Sequence, residues 1–186
     1  MAEAIRIVSS RTEDLDAATR AGIIRTCNAA FAKDEFDELF TRYIPSGGRH
    51  VYALDGDEVV AHAVATTRWL HLGQVGAPGT RRLRTGWIDA VATAPDHQHR
   101  GIGSQVMRRI AIDIADYELG GLATDVRGFY EPRGWENWRG PLAGLKDDLV
   151  VPTPDMRDIF VLRLDATRDL DLDAALTVEF DGRIWE

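Results

Sequence analysis

The segment Gln98-His99-Arg100-Gly101-Ile102-Gly103 lies between an apolar run and a run with helical spacing, and that junction constrains the fold more than any other feature. The run before it, Trp87-Ile88-Asp89-Ala90-Val91-Ala92-Thr93, reads as a strand; the run after it, Ser104 through Ile114, reads as a helix. A strand, a turn with glycines two apart and a helix start aim several backbone N–H groups at one point. The first N–H groups of a helix lack partners and carry the positive end of its dipole, so such a junction suits a phosphate. Two other phosphate loops are excluded. A Walker loop needs a Gly-Lys pair, which the chain lacks, and a dinucleotide fingerprint needs a third glycine where Val106 stands.

The chain has 186 residues, enough for one domain with a full core. Hydrophobic residues make up 45% and charged residues 28%, as expected of a soluble globular chain. Its single cysteine, Cys27, rules out a disulfide framework within one copy and reads as a buried structural thiol. The N-terminus carries neither a basic region before an apolar core nor a spanning segment, so the expected location is the cytoplasm, away from membranes. A net charge of −8 argues against nucleic acid as partner and favours a cationic ligand.

Alternation over Ile5 to Val8 predicts a first strand. Thr12 or Asp14 is placed to cap a helix over Leu15 to Ala32, and Asp34 to Phe40 follows as a short acidic helix. Ser46-Gly47-Gly48 predicts a turn. Strands over His50 to Leu54 and Glu58 to Trp69 are joined by the hairpin signal Asp55-Gly56-Asp57. Gly73 to Thr80 reads as a loop and Arg82 to Thr93 as a strand; the helix after the glycine loop is expected to run to about Leu119, where Gly120-Gly121 stops it. A strand over Leu122 to Asp125, a brief helix over Arg127 to Glu131, a turn at Pro132-Arg133-Gly134-Trp135 leading into another strand, and a final strand over Ile159 to Leu164 complete the reading. The tail from Leu170 to Glu186 yields no firm element. This order predicts a single α/β domain over residues 1–186, with a mixed central sheet flanked by helices.

The spelling Q-x-x-G-x-G at Gln98 to Gly103 resembles the pyrophosphate loop of the GCN5-related N-acetyltransferases, which bind acetyl-CoA. Further segments are similar to one branch, the aminoglycoside 2′-N-acetyltransferases. Tyr130 to Pro141 resembles its Y-x-x-R-G-W-x-x-W-x-G-P, Ala30 to Asp34 its A-F-A-x-D, and Ala61-His62-Ala63 its A-H-A strand. Phe160-Val161-Leu162 through Trp185 resembles its F-V-L strand and terminal tryptophan. Two departures stand out: Asp89 occupies a position that is usually glutamate, and Glu186 follows the tryptophan that ends some relatives. Both positions belong to the acceptor side in the family.

The resemblance implies a set of roles. The backbone of Gln98, His99, Arg100, Gly101, Ile102, Gly103 and Ser104 takes the CoA pyrophosphate, with the Arg100 charge beside it. Val91, Ala92 and Thr93 pair with the pantetheine arm like an added strand, and the Val91 N–H points at the thioester carbonyl. Asp89 is the candidate base for the acceptor amine, directly or through water, one pleat from Val91. Tyr130 is the candidate acid for the departing thiolate. Asp34, Asp155, Trp185 and Glu186 are the candidate acceptor contacts, Trp185 by stacking on a sugar ring. The implied partner is a cationic aminoglycoside, either a 2-deoxystreptamine compound or kasugamycin, and acetylation of its 2′-amine implies antibiotic resistance. A polyamine acceptor and a non-catalytic CoA sensor are the alternatives. The histidines His50, His62, His71, His97 and His99 lack metal-ligand spacing, so no metal is expected. By analogy with relatives a homodimer is expected, through an exposed aromatic strand near Trp138.

Overall fold

The computed structural model describes residues 4–32, 36–44 and 47–185, with the side chains at 39 and 41–43 left aside. The chain divides into two compact units, Met1–Thr66 with Ile88–Ile114, and Thr67–Trp87 with Ala115–Glu186. Each combines strands with helices. Among the described residues no helix is long and apolar enough to cross a membrane.

In the first unit, strand β1 (Arg6–Arg11) pairs antiparallel with β2 (Arg49–Asp55), which pairs antiparallel with β3 (Glu58–Leu72). The β2–β3 turn uses Gly56 at φ 60, as the Asp-Gly signal predicts. Helix α1 (Ala17–Phe31) starts later than expected. Its cap is Asp16, whose carboxylate accepts the Thr19 N–H at 2.7 Å, while Thr12–Asp14 forms a separate 3-10 turn. Gly22 lets the helix approach β3, since a Cβ there would lie 2.8 Å from Val59 Cγ2. Helix α2 (Phe36–Tyr43) buries Phe36 and Phe40, four apart on one face. Strand β4 (Arg81–Thr93) ends in this unit and is followed by helix α3 (Ile102–Asp113). That helix stops six residues short of the expected Leu119. Arg49 donates to the Asp113 carbonyl, and the Ser9 hydroxyl donates to the Asp113 carboxylate, so polar groups close its last turn.

In the second unit, β4 pairs in parallel with β5 (Leu119–Ala123), so Gly120 and Gly121 belong to a strand instead of ending a helix. Gly121 serves close packing, because a Cβ there would meet the Trp87 ring at 2.7 Å. The brief helix α4 (Arg127–Tyr130) is present as expected. Strand β6 (Glu136–Asn137) and β9 (Ile159–Arg163) extend the ladder on the β5 side. A second ladder joins β3 to β10 (Leu176–Glu179), then β7 (Leu142–Lys146) and β8 (Leu149–Pro152). Those three strands are absent from the sequence reading. The β7–β8 turn is Asp147-Asp148, with both residues at positive φ (50° and 64°), an aspartate pair filling a turn more often signalled by Asn-Gly.

The core of the second unit packs Trp87, Trp138 and Trp185 with Leu70, Leu83, Leu119, Leu176 and Val178. Trp138 is 3% exposed and donates its Nε1–H to the Ala174 carbonyl, so the exposed aromatic strand expected near it does not exist. Gly140 lies against the same backbone, where a Cβ would fall 1.9 Å from Ala174 O. No flexible side-chain tip is available there to move aside. Gly140→Ala is therefore expected to lower unfolding stability by about 3 kcal/mol in urea melts; an unchanged midpoint would mean that the facing backbone shifts freely.

Candidate active site

The end of β4 departs from a regular pleat. Ala90 has φ 53, the one non-glycine positive φ inside a strand among the described residues. Such a left-handed step costs an alanine about 1 kcal/mol or more, so the surroundings must hold it. It interrupts the alternation that places Asp89 and Val91 on one face: 89, 90 and 91 are all half-buried, and Ala92 is buried. A break of this kind re-aims the residues on either side of it. The Ala90 carbonyl accepts a hydrogen bond from His62 Nδ1 at 3.1 Å, and the Ala94 N–H donates to Val60 O at 2.8 Å.

Beyond the strand, Pro95–His97 makes a 3-10 turn. His97 braces it between Asp96 (2.9 Å) and Asp55 (3.2 Å); the bond to Asp96, then that to Asp55, raises its pKa above the ordinary value. Gln98 donates its side-chain N–H to Thr93 O at 3.2 Å, tying the loop back to the strand end. His99 (φ 59) and Gly101 (φ 76) take left-handed conformations two residues apart, and this curls the loop into α3. Nothing lies within 4 Å of a Cβ at Gly101, so the glycine there answers a dihedral requirement and not a shortage of space. Gly101 is the N-cap of α3 and makes no side-chain capping bond. The helix start thus presents the positive end of its dipole with no side chain at the N-cap, and the exposed Arg100 precedes it.

The second unit holds Tyr130. Its helix runs directly into the 3-10 turn Glu131–Arg133, which ends at Gly134 with φ 83, so the first glycine of the Y-x-x-R-G-W-x-x-W-x-G-P segment is the left-handed stop. Tyr130 is 7% exposed and meets Phe129 and Trp135 edge-on, with ring centroids 4.9 and 6.3 Å apart. Burial pushes its phenol up to about 12, against the opposing effects of a hydrogen bond with Thr124 and the Arg133 charge. Arg133 stacks over the Phe129 ring at 4.0 Å and donates to the Phe129 carbonyl.

Asp155 is exposed on the turn that follows β8. Two residues before it, the Thr153 hydroxyl accepts the Trp185 Nε1–H at 2.9 Å, so Asp155 and the tail tryptophan share one locality. The Trp185 indole is 3% exposed and packs 6.0 Å from Trp87. Its ring therefore belongs to the core and offers no open face. Asp34 and Glu186 lie outside the described residues. Asp89, Val91 to Thr93 and Gln98 to Ser104 are residues of the first unit; Tyr130, Asp155 and Trp185 are residues of the second.

The sequence reading missed a buried polar chain in the first unit. His50 and His62 are both fully buried, with His50 Nδ1 2.9 Å from His62 Nε2 and Thr12 Oγ1 3.1 Å from His50 Nε2. Cys27, buried as expected, lies with its sulfur 3.8 Å from His62 Nδ1, and burial pushes its thiol far up. The signal was available. His62 interrupts the apolar run Val59 to Ala65, and a polar group with no exposed face must have a partner inside. Among the described residues no group of three or more His, Cys, Asp or Glu is arranged to hold a metal ion.

Residues 11–137 match the family model described as an acetyltransferase (GNAT) domain. The chain is 33% identical over 181 residues to an aminoglycoside 2′-N-acetyltransferase of Mycolicibacterium fortuitum, covering 94% of this chain and 89% of that protein. Among solved structures, a GCN5-related N-acetyltransferase from Kribbella flavida is similar with a TM-score of 0.57 and 23% identity, over 73% of this chain. This chain spans only 34% of that longer protein. Escherichia coli ElaA is similar with a TM-score of 0.58 and 13% identity, over 86% of this chain and 100% of its own. Both likenesses concern the fold.

Proposed function

Since the chain belongs to the GNAT acetyltransferase family, we propose that it transfers the acetyl group of acetyl-CoA to the 2′-amine of an aminoglycoside. Likeness to the M. fortuitum enzyme over nearly the whole chain carries this reading. The glycine-led start of α3, with Arg100 before it, supports a phosphate-bearing donor, and the acidic net charge of −8 supports a cationic acceptor.

Transfer forms a C–N bond and breaks a C–S bond at the thioester carbonyl. Backbone N–H groups from Gln98 to Ser104 and the Arg100 charge hold the pyrophosphate, and Val91 to Thr93 align the pantetheine arm. The Val91 N–H stabilises the oxyanion that develops in the transition state. An aminoglycoside amine is an ammonium at neutral pH and attacks only after losing a proton. Asp89 takes that proton, directly or through one water; its side chain is one methylene shorter than glutamate, which favours the water. Tyr130 donates from Oη to the departing sulfur. Asp34, Asp155, Trp185 and Glu186 form the acceptor side. In this assignment the buried Trp185 ring holds the tail against the Thr153–Asp155 turn. The two chain units work as one N-acetyltransferase domain.

Asp89→Asn is expected to lower turnover most at low pH. Without a base the reaction depends on amine that is already neutral, a fraction that falls about tenfold per pH unit below the amine pKa. A loss of the same size at every pH would assign Asp89 to binding. Thiol release from acetyl-CoA, measured against kasugamycin, gentamicin, kanamycin and spermine, tests the whole reading. Turnover with compounds bearing a 2′-amine is expected, and its distribution separates kasugamycin from the 2-deoxystreptamine drugs. Turnover with spermine alone would overturn the antibiotic acceptor.

A further inference from the structure

The buried histidine pair ends on the backbone of the strand that carries the proposed chemistry. The Ala90 carbonyl can only accept, so the proton of the 3.1 Å contact sits on His62 Nδ1. His62 Nε2 then holds a lone pair, and the proton of the 2.9 Å contact sits on His50 Nδ1. His50 Nε2 is left as an acceptor for the Thr12 hydroxyl at 3.1 Å. The same hydroxyl lies 3.3 Å from the Gly48 carbonyl, a second acceptor that its proton can reach by rotation. One orientation, Thr12 to His50 to His62 to Ala90, fits these ring contacts with both rings neutral, and leaves the Cys27 sulfur 3.8 Å from the same His62 Nδ1–H. Phe40 stacks on His50 with ring centroids 5.5 Å apart, and both rings are fully buried. The chain terminates on a carbonyl oxygen, which passes no proton onward. What it transmits is orientation.

We propose that the His50–His62 pair is a positioning device: His62 holds the Ala90 carbonyl, and with it the left-handed step that aims the Asp89 side chain and the Val91 N–H. The inference rests on the reading in which Asp89 and Val91 serve acetyl transfer. Burial of both rings and the φ of 53 at Ala90 are its structural supports. Regular strand backbone at residue 90 would redirect the two residues that flank it.

The test has one arm that needs no variant. Imidazole nitrogen NMR on the intact protein is expected to show both rings as Nδ1–H tautomers, with signals constant from about pH 8 to pH 5. An Nε2–H tautomer at His62, or a titration midpoint near the ordinary value of about 6.5, would overturn the proposal. In the second arm, His62→Phe removes the donor, whereas His62→Gln keeps an N–H on a side chain of similar reach. His62→Phe is expected to lower kcat by about 10- to 100-fold with KM for acetyl-CoA nearly unchanged, and His62→Gln to recover most of that loss. Equal losses in the two variants, or a loss confined to KM, would overturn it. Failure of the underlying reading looks different: Asp89→Asn would then keep full turnover while the tautomer result stood.

Discussion

Tyr130→Phe is expected to reduce kcat by about 100- to 1000-fold while leaving the dissociation constant for acetyl-CoA nearly unchanged. The substitution removes one oxygen and its hydrogen bond with Thr124 but keeps the ring that packs edge-on against Phe129 and Trp135, so a urea melt run beside the kinetics separates lost folding from lost catalysis. Because burial pushes the phenol up to about 12, it stays protonated at every pH at which the enzyme would be assayed. The pH–rate profile of the native protein should therefore show no limb from this group near neutrality. A phenol of that strength is a weaker acid than an ordinary thiol, with pKa about 8.5. In the proposed role its contribution is accordingly a hydrogen bond donated to sulfur while the C–S bond breaks, with proton delivery coupled to that step. Single-turnover thiol release and calorimetric titration with acetyl-CoA make the measurement. Unchanged turnover would remove Tyr130 from the mechanism, and a parallel loss of affinity would make it a binding residue.

Stability should fall steeply as the pH drops below neutrality. Burial lowers the pKa of His62 from 6.5 to about 3, with His50 adding to the effect, and lowers that of His50 to about 4. Below about 6.5 the unfolded chain takes up protons on two rings that the folded chain keeps neutral, so each ring removes up to about 1.4 kcal/mol per pH unit. The loss continues until the folded values are reached. Between about pH 6.5 and 5 the pair accounts for a drop of up to about 3 kcal/mol, a large part of the stability of a typical domain. The half-buried His97 works in the opposite sense, since its raised pKa contributes stability at low pH that is lost as the pH rises. Urea melts at several pH values check the expectation, and His62→Gln should make the slope shallower. A midpoint that stays constant between pH 7 and 5 would contradict it.

Local signals were legible where a short stretch of chain obeys its own rules. The Asp55-Gly56-Asp57 hairpin, the glycine turn into α3 and the Gly134 stop after Tyr130 follow from backbone dihedrals that glycine tolerates. Errors arose where a residue answers to a distant neighbour. Gly120-Gly121 resembles a helix stop, but Gly121 is glycine because Trp87 covers it. Trp138 and Trp185 suggest surface aromatics, yet both indoles are enclosed and donate hydrogen bonds to the Ala174 carbonyl and Thr153 respectively. Strands β7, β8 and β10 are short, and a strand of four or five residues is stabilised by its partners in the ladder, which no local window contains.

By itself the sequence determined the α/β class, the strand–loop–helix junction at Gln98 to Gly103 and the resemblance that the M. fortuitum relative bears out. These depend on spacing along the chain, which is one-dimensional information. Only the tertiary structure decided that Ala90 breaks the pleat between Asp89 and Val91, and that buried His62, itself bonded to buried His50, meets its carbonyl. An alanine has no local reason to adopt a left-handed backbone. The ring that meets its carbonyl stands 28 positions earlier in the sequence and is backed by another 40 positions earlier, and only folding assembles the three.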